Sequence, residues 1–320
     1  MLILNKSFNK LVKSTNLIIV GSLVFSLTLW PYVPPSEADN IDLPYLPLPG
    51  QSADIIWNQV PSLDDLELTS LSALVVKLPQ GEIIGALEPN LELPLASLTK
   101  LMTAVIVTEN NLPPDKLIPV TKIDNSEMMA PYQKVGESIS YLRVKDDTKV
   151  TVRNLLAASL VGSANNATAA LARGTGMSTS DFIHRMNERA GILGATTAQF
   201  RDTTGLNGEN TATVYDLAII ARYAWQNKLL RETSGKSEVR FTIADSGDHI
   251  IRNTNKLFTQ KKSFYILASK TGYLEEAGYN LALQVKVRNQ NYLIVLFNAP
   301  TIQDRINDVL NIVSWIEKRG

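Results

Sequence analysis

The sequence contains no cysteine, which excludes disulfide frameworks, thiol nucleophiles and thiolate metal sites together. Histidine is nearly absent as well. With only His184 and His249 present, a histidine-rich zinc site and a serine–histidine–aspartate triad have few candidates. Net charge is also missing: 31 basic and 31 acidic residues balance, so no global field recruits nucleic acid or an anionic surface, and specificity has to come from a local site. What the chain does have is length and apolar residues. Its 320 residues, 45% of them hydrophobic, supply ample core for one large domain or two small ones and exclude disorder of the whole chain.

Lys6, Lys10 and Lys13 precede an apolar stretch from Leu17 to Trp30, which is broken at Pro31 and followed by Pro34-Pro35-Ser36-Glu37-Ala38. Positive residues, a short apolar core and small residues at Ser36 and Ala38 predict a secretory signal over 1–38 and hence export. The apolar core falls short of the roughly 20 residues of a membrane span, although Tyr32 and Val33 extend it. Cleavage after Ala38 and retention as a membrane anchor both stay open. Residues 39–68, with Pro44, Pro47, Pro49 and Pro61, read as an extended linker or wrapping arm, and 69–320 as the catalytic domain.

Beyond the linker, Ser72 to Leu78 and Ile83 to Leu87 read as a hairpin, and Leu101 to Val107 as a buried helix that ends near Asn110-Asn111. Lys116 to Lys149 is polar and turn-rich, a stretch expected to cap one side of a site. Helical pattern follows at Val152 to Leu160, from Asn166, at Ser180 to Ala190 and at Thr213 to Asn227. The character then changes to strands: Val239 to Ala244 and His249 to Arg252 as a hairpin, then Phe264 to Ser269, Tyr279 to Val287 and Tyr292 to Phe297. An amphipathic helix, Ile302 to Ile316, closes the chain. Strands at both ends with helices between them imply an α+β (α/β) architecture: one mostly antiparallel sheet flanked by helices, plus a helical lobe, with a cleft between the two.

Three short stretches carry chemistry. Ser97-Leu98-Thr99-Lys100 sets a hydroxyl three residues before an amine at a helix start, where both share one face. Alone, the stretch favours the plainer reading of a helix cap and a surface lysine. Ser163-Ala164-Asn165 adds a hydroxyl and an amide at a helix interruption, and Lys270-Thr271-Gly272 adds a cation, a hydroxyl and a bare backbone at the end of a strand. S-x-x-K, S-x-N and K-T-G in this order form the set found in penicillin-binding proteins and class A β-lactamases.

From about Ser72 onward the chain resembles the low-molecular-mass penicillin-binding proteins: the serine D-alanyl-D-alanine carboxypeptidases and the related murein endopeptidases. The resemblance extends through Phe200, Thr204-Gly205-Leu206, Tyr215-Asp216, Asn253-Thr254-Asn255-Lys256-Leu257 and Lys270 through Asn280. It implies a penicillin-binding, β-lactamase-like transpeptidase fold and an exported enzyme on the cell-wall or periplasmic side. Peptidoglycan stem peptides and β-lactams would be its partners, with no cofactor and no nucleic acid. Ala164 stands where many carboxypeptidases have glycine and class A β-lactamases have aspartate. No glutamate occurs in an E-x-x-L-N context, which argues against a β-lactamase, and the extra β-rich domain and C-terminal anchor of many carboxypeptidases are not seen.

The residue types then imply a mechanism. Ser97 is the expected nucleophile and Lys100 its base, with the proton affinity of Lys100 lowered by burial and by the nearby cation Lys270. Ser163 is expected to relay protons between the two lysines and the leaving nitrogen, and Asn165 to hold Lys100 and a substrate amide. Backbone N–H groups of Ser97 and Tyr273 are expected to bind the oxyanion, Gly272 to let substrate backbone approach, and Lys270 and Thr271 to meet a terminal carboxylate. By resemblance Arg305 is a further carboxylate partner, and a solvated charge on the last helix is the competing reading. Carboxypeptidase, endopeptidase and, with less support, β-lactamase or non-catalytic wall sensor are the activities compatible with these residues.

Overall fold

The computed structural model describes Leu46, Ile55, residues 57–124 and residues 139–319. The expected signal or anchor over 1–38 lies outside the described residues, as do 125–138 of the polar cap and 39–45, 47–54 and 56 of the proline-rich stretch.

Strand β1 (Ser72–Leu78) has alternating side chains that are apolar on both faces: Ala73 and Val75 point one way, Leu74 and Val76 the other, and all four are fully buried. A strand of that composition needs cover on both sides. It pairs antiparallel with β2 (Glu82–Leu87) through a bulge at Val75/Val76. After β3 (Leu93–Pro94) the chain makes a tight 3-10 turn, Ala96–Thr99, into α1 (Lys100–Glu109). The helical lobe follows, with the short pair β4 (Leu117–Val120) and β5 (Thr148–Thr151), then α2 (Val152–Leu160), α3 (Asn165–Gly174) and α4 (Thr179–Leu193). β6 (Thr211–Ala212), α5 (Val214–Ala224) and α6 (Lys228–Ser234) lead to the hairpin β7 (Glu238–Ile243) and β8 (Gly247–Arg252). Three long strands, β9 (Tyr265–Leu274), β10 (Gly278–Val287) and β11 (Gln290–Ala299), and the helix α7 (Ile302–Arg319) complete the order.

The main sheet is five-stranded and antiparallel, in the order β2-β1-β11-β10-β9, so the first hairpin and the last three strands meet although about 180 residues separate them. On one face, Ile306, Val309, Ile312, Val313 and Ile316 recur at helical spacing along α7 and pack on Val75, Leu281, Leu283, Ile294 and Leu296. On the other, Leu74, Val76, Val295 and Phe297 pack with Leu217, Ile220 and Ala221 of α5 and with the apolar side of α1. Leu46 and Leu63 are buried as well. Leu63 joins the α7 side of the core and bonds through its N–H to the Ala86 carbonyl at 3.0 Å.

Three elements differ from the sequence expectation. Lys270-Thr271-Gly272 lies inside β9, because pairing with β10 continues to Leu274 and overrides the glycine as a strand end. The helix expected over Thr213 to Asn227 ends at Ala224. A separate α6 starts where Asn227 Oδ1 caps the N–H groups of Leu229 and Leu230. Ser97 caps nothing: α1 begins at Lys100, and the serine sits in the 3-10 turn before it. Among the described residues no helix is long and apolar enough to cross a membrane.

Candidate active site

The turn that carries Ser97, the candidate nucleophile, is held by backbone first. β3 pairs with β6, Leu93 opposite Ala212 and Pro94 opposite Thr211, and the Leu95 N–H donates to the Asn210 carbonyl at 2.7 Å. Ala96 then adopts φ 49°, a left-handed conformation costly for a non-glycine residue, and the chain reverses into the turn that carries Ser97. Gly205 comes so close to Ala96 that a Cβ on it would stand 1.8 Å from the Ala96 carbonyl oxygen. A glycine is required there by contact as well as by its own φ of +82°.

Lys100, in the first position of α1, is completely buried. Its Nζ has three hydrogen-bond partners: Ser97 Oγ at 2.9 Å, Asn165 Oδ1 at 2.6 Å and the Thr204 carbonyl at 2.5 Å. Two of these only accept, whereas the serine hydroxyl can also donate. A neutral amine, with two N–H donors and one lone pair, therefore matches the site atom for atom when Ser97 O–H points at it. Burial brings the Lys100 ammonium down to about 7, against the opposing pull of the Asp202 carboxylate.

The second lysine forms a separate pair. Lys270, buried within β9, donates to Ser163 Oγ at 2.9 Å and to the Thr271 carbonyl at 2.8 Å. Burial lowers its proton affinity well below the ordinary lysine value, and repulsion from Lys100 and Arg305 adds to the effect. Ser163 stands at φ 59° between α2 and α3, a strained conformation that follows the end of one helix and precedes the start of the next. Among the described residues its hydroxyl bonds to Lys270 and not to Lys100, so the expected bridge between both lysines is only half formed. The two lysines repel each other as expected, and the Asp202 carboxylate adds a pull in the opposite direction on Lys100 that the motifs do not reveal.

Ser97, Ser163, Asn165, Thr271, Gly272, Tyr273 and Arg305 line one cleft of about 470 Å³. Gly272 lies against the nucleophile turn: a Cβ there would be 3.2 Å from Ser97 N and 2.8 Å from the Leu95 carbonyl oxygen. Arg305 is no solvated surface charge. Its side chain is buried, donates to the Asn280 carbonyl at 3.1 Å and lies 5.9 Å from the centre of the Tyr279 ring. Tyr279 in turn stacks on the exposed ring of Tyr273, with centroids 4.4 Å apart, so an aromatic pair edges the cleft next to the guanidinium. Burial brings the Arg305 guanidinium down to about 10.

The motifs do not reveal every residue that builds this site. The Thr204 carbonyl is a direct partner of Lys100, yet a backbone oxygen carries no residue-type signal, and Thr204-Gly205-Leu206 stands in the sequence only as a stretch of family resemblance. Asp202 and Asn210, which shape that turn, stand outside all three motifs. Thr254 also lines the cleft, and its hydroxyl is 2.6 Å from that of Thr271. Its position between Asn253 and Asn255 in a landmark stretch was the available signal.

Comparison with known proteins agrees with this geometry. The peptidase S11 family model, described as D-alanyl-D-alanine carboxypeptidase, matches residues 58–301. A D-alanyl-D-alanine endopeptidase of Pseudomonas aeruginosa is 30% identical over 252 residues, covering 78% of each chain. The D-alanyl-D-alanine carboxypeptidase DacF of Bacillus subtilis is 28% identical over 247 residues, 76% of this chain and 61% of that one. In fold, the crystal structure of the Streptomyces K15 DD-transpeptidase superposes with a TM-score of 0.70 at 24% identity, over 78% of this chain and 97% of that one. With a family match over most of its length, the chain belongs to the D-alanyl-D-alanine carboxypeptidase family of serine peptidases.

Proposed function

We propose that the chain hydrolyses D-Ala-D-Ala peptides of peptidoglycan through an acyl-enzyme on Ser97. The observation that carries this reading is the buried Lys100 amine, 2.9 Å from Ser97 Oγ and held by two obligate acceptors. As Oγ attacks the D-alanyl carbonyl carbon, its proton passes to Lys100 Nζ; the C–N bond breaks, and Ser163 supplies the proton taken by the leaving nitrogen, with Lys270 replenishing Ser163. The N–H groups of Ser97 and Tyr273 receive the oxyanion, a role supported by the close approach of Gly272 to the nucleophile turn. A substrate carboxylate fits beside Lys270, Thr271 and Arg305. Its negative charge offsets the repulsion among the buried cations and keeps Lys270 protonated while Lys100 stays neutral. Asn165 shares its side chain between Lys100 and the substrate amide. Residues 1–38 act as an export signal or N-terminal anchor, which puts the catalytic domain on the cell-wall side.

A second reading, cleavage of cross-links between stem peptides, is favoured by one observation. The relative named an endopeptidase aligns over 78% of its own length, the carboxypeptidase DacF over 61%. Labelled penicillin is expected to acylate Ser97 and to spare Ser97→Ala. Mass spectrometry of digested muropeptides then separates the two activities: loss of a single terminal alanine marks a carboxypeptidase, and conversion of cross-linked dimers to monomers an endopeptidase. An unlabelled wild type, or undiminished labelling of Ser97→Ala, overturns the acyl-enzyme reading.

A further inference from the structure

Asp202 is a buried carboxylate, and the groups bonded to it are all uncharged. Its Oδ1 accepts from the Gly205 N–H at 2.9 Å and from Asn210 Nδ2 at 2.6 Å. Its Oδ2 accepts from the Thr204 N–H at 3.1 Å and from the Thr204 hydroxyl. Nothing in this arrangement neutralises the charge with a cation in contact; dipoles hold it instead. The same bonds fold residues 202–206 into the loop that aims the Thr204 carbonyl at Lys100 and seats Gly205 on Ala96. Asn210 extends the unit to the nucleophile turn itself. Its Nδ2 also reaches Thr99 Oγ1 at 3.0 Å, and its carbonyl takes the Leu95 N–H. The anion, the loop and the serine–lysine turn are thus one hydrogen-bonded body, with a single Thr204 peptide between the carboxylate and the lysine amine.

We propose that Asp202 is the counter-charge for the proton Lys100 takes from Ser97, a positioning residue that acts through the Thr204 peptide to hold the amine in place and to stabilise the ammonium formed during acylation. The need for such a group follows from the charges that face Lys100. Lys270 from β9 is buried in the same region, and the repulsion between the two lysines opposes a proton on Lys100. Its other neighbours, Ser97, Asn165 and the Thr204 carbonyl, are neutral. A base surrounded in this way is neutral at rest but would accept a proton poorly, and one nearby carboxylate corrects the second property without occupying the cleft. Tyr279 faces Arg305 rather than Lys100.

This inference rests on the proposed roles of Ser97 and Lys100, and its test is separable from theirs. The rate of acylation by penicillin is measured against pH for wild type and for Asp202→Asn, which keeps the side-chain shape and removes the charge. The acid limb is expected to move to lower pH by about one unit, with a several-fold lower plateau, because the charge that favours protonated Lys100 is gone. Asp202→Glu, which restores the charge, is expected to return the limb to its wild-type position even where the plateau stays low. A lower plateau with an unmoved limb overturns the proposal and leaves Asp202 a loop-building residue; a limb that moves upward overturns it also. Should Asp202→Asn fail to fold, Asn210→Ala serves: it strips a neutralising dipole from the carboxylate, so the limb is expected to rise, and an unmoved limb overturns the proposal. Each of these results presupposes wild-type labelling at Ser97, so failure of the acyl-enzyme reading appears first and separately.

Discussion

A lysine amine is a useful base only if it is neutral at working pH, and at Lys100 burial supplies that condition. Solvation is removed on every side, and the remaining hydrogen bonds match an amine that accepts from Ser97 and donates to Asn165 and Thr204. Two results are expected at this scale. Acylation of wild type by penicillin should decline as pH falls through about 7, where Lys100 gains its proton. Lys100→Ala should lose about 10²–10⁴-fold in acylation rate, the usual worth of a positioned base, while its circular dichroism stays native. An alanine variant that acylates within tenfold of wild type would remove Lys100 from the base role. The motifs together name Lys100 and imply its burial, although a lysine in the first turn of a helix is ordinarily solvated; the partners that replace its solvation are not legible there.

Two short backbone elements decide the geometry around that lysine: the turn Ala96–Thr99 and the loop 202–206. They touch at Gly205, where the space for a side chain is taken by the Ala96 carbonyl. Gly205→Ala should therefore push the turn that carries Ser97 away from Lys100. The expected outcome is a loss of about 2–4 kcal/mol in urea denaturation, from a left-handed φ plus a buried clash, together with near-complete loss of penicillin labelling. Native stability with normal labelling would show that the turn relaxes around the added methyl. Sequence periodicity located α2 to the residue and found both partners of the first hairpin, because local pattern governs such elements. It misjudged the end of β9, where the pairing strand β10 rather than the local composition determines how far the strand runs.

At the largest scale, the last helix is tied back to the chain that leads into the sheet. Asp308 of α7 accepts from the Thr69 and Ser70 N–H groups at 3.0 and 2.8 Å and from both hydroxyls, which clamps the last helix to the chain just before β1. Asp308→Ala leaves the buried Ser70 N–H without its acceptor, so urea denaturation should record a loss of about 1–3 kcal/mol. The folded variant should still be labelled by penicillin, since Asp308 lies outside the cleft lining. An unchanged urea midpoint would mean that the clamp adds nothing to α7 packing.

The candidate nucleophile Ser97, its lysine, the candidate relay Ser163 and the strand motif were legible from residue type and order, because such chemistry needs particular side chains at particular short spacings. The family was legible for the same reason. Tertiary structure alone decided that Ser163 bonds to Lys270 and not to Lys100, that Arg305 is buried beside Tyr279, and that the Thr204 carbonyl meets Lys100 from a loop held by Asp202. These contacts join residues about 25 to 110 positions apart, and burial, which sets the proton affinity of both lysines, exists only once the sheet and the helical lobe have packed.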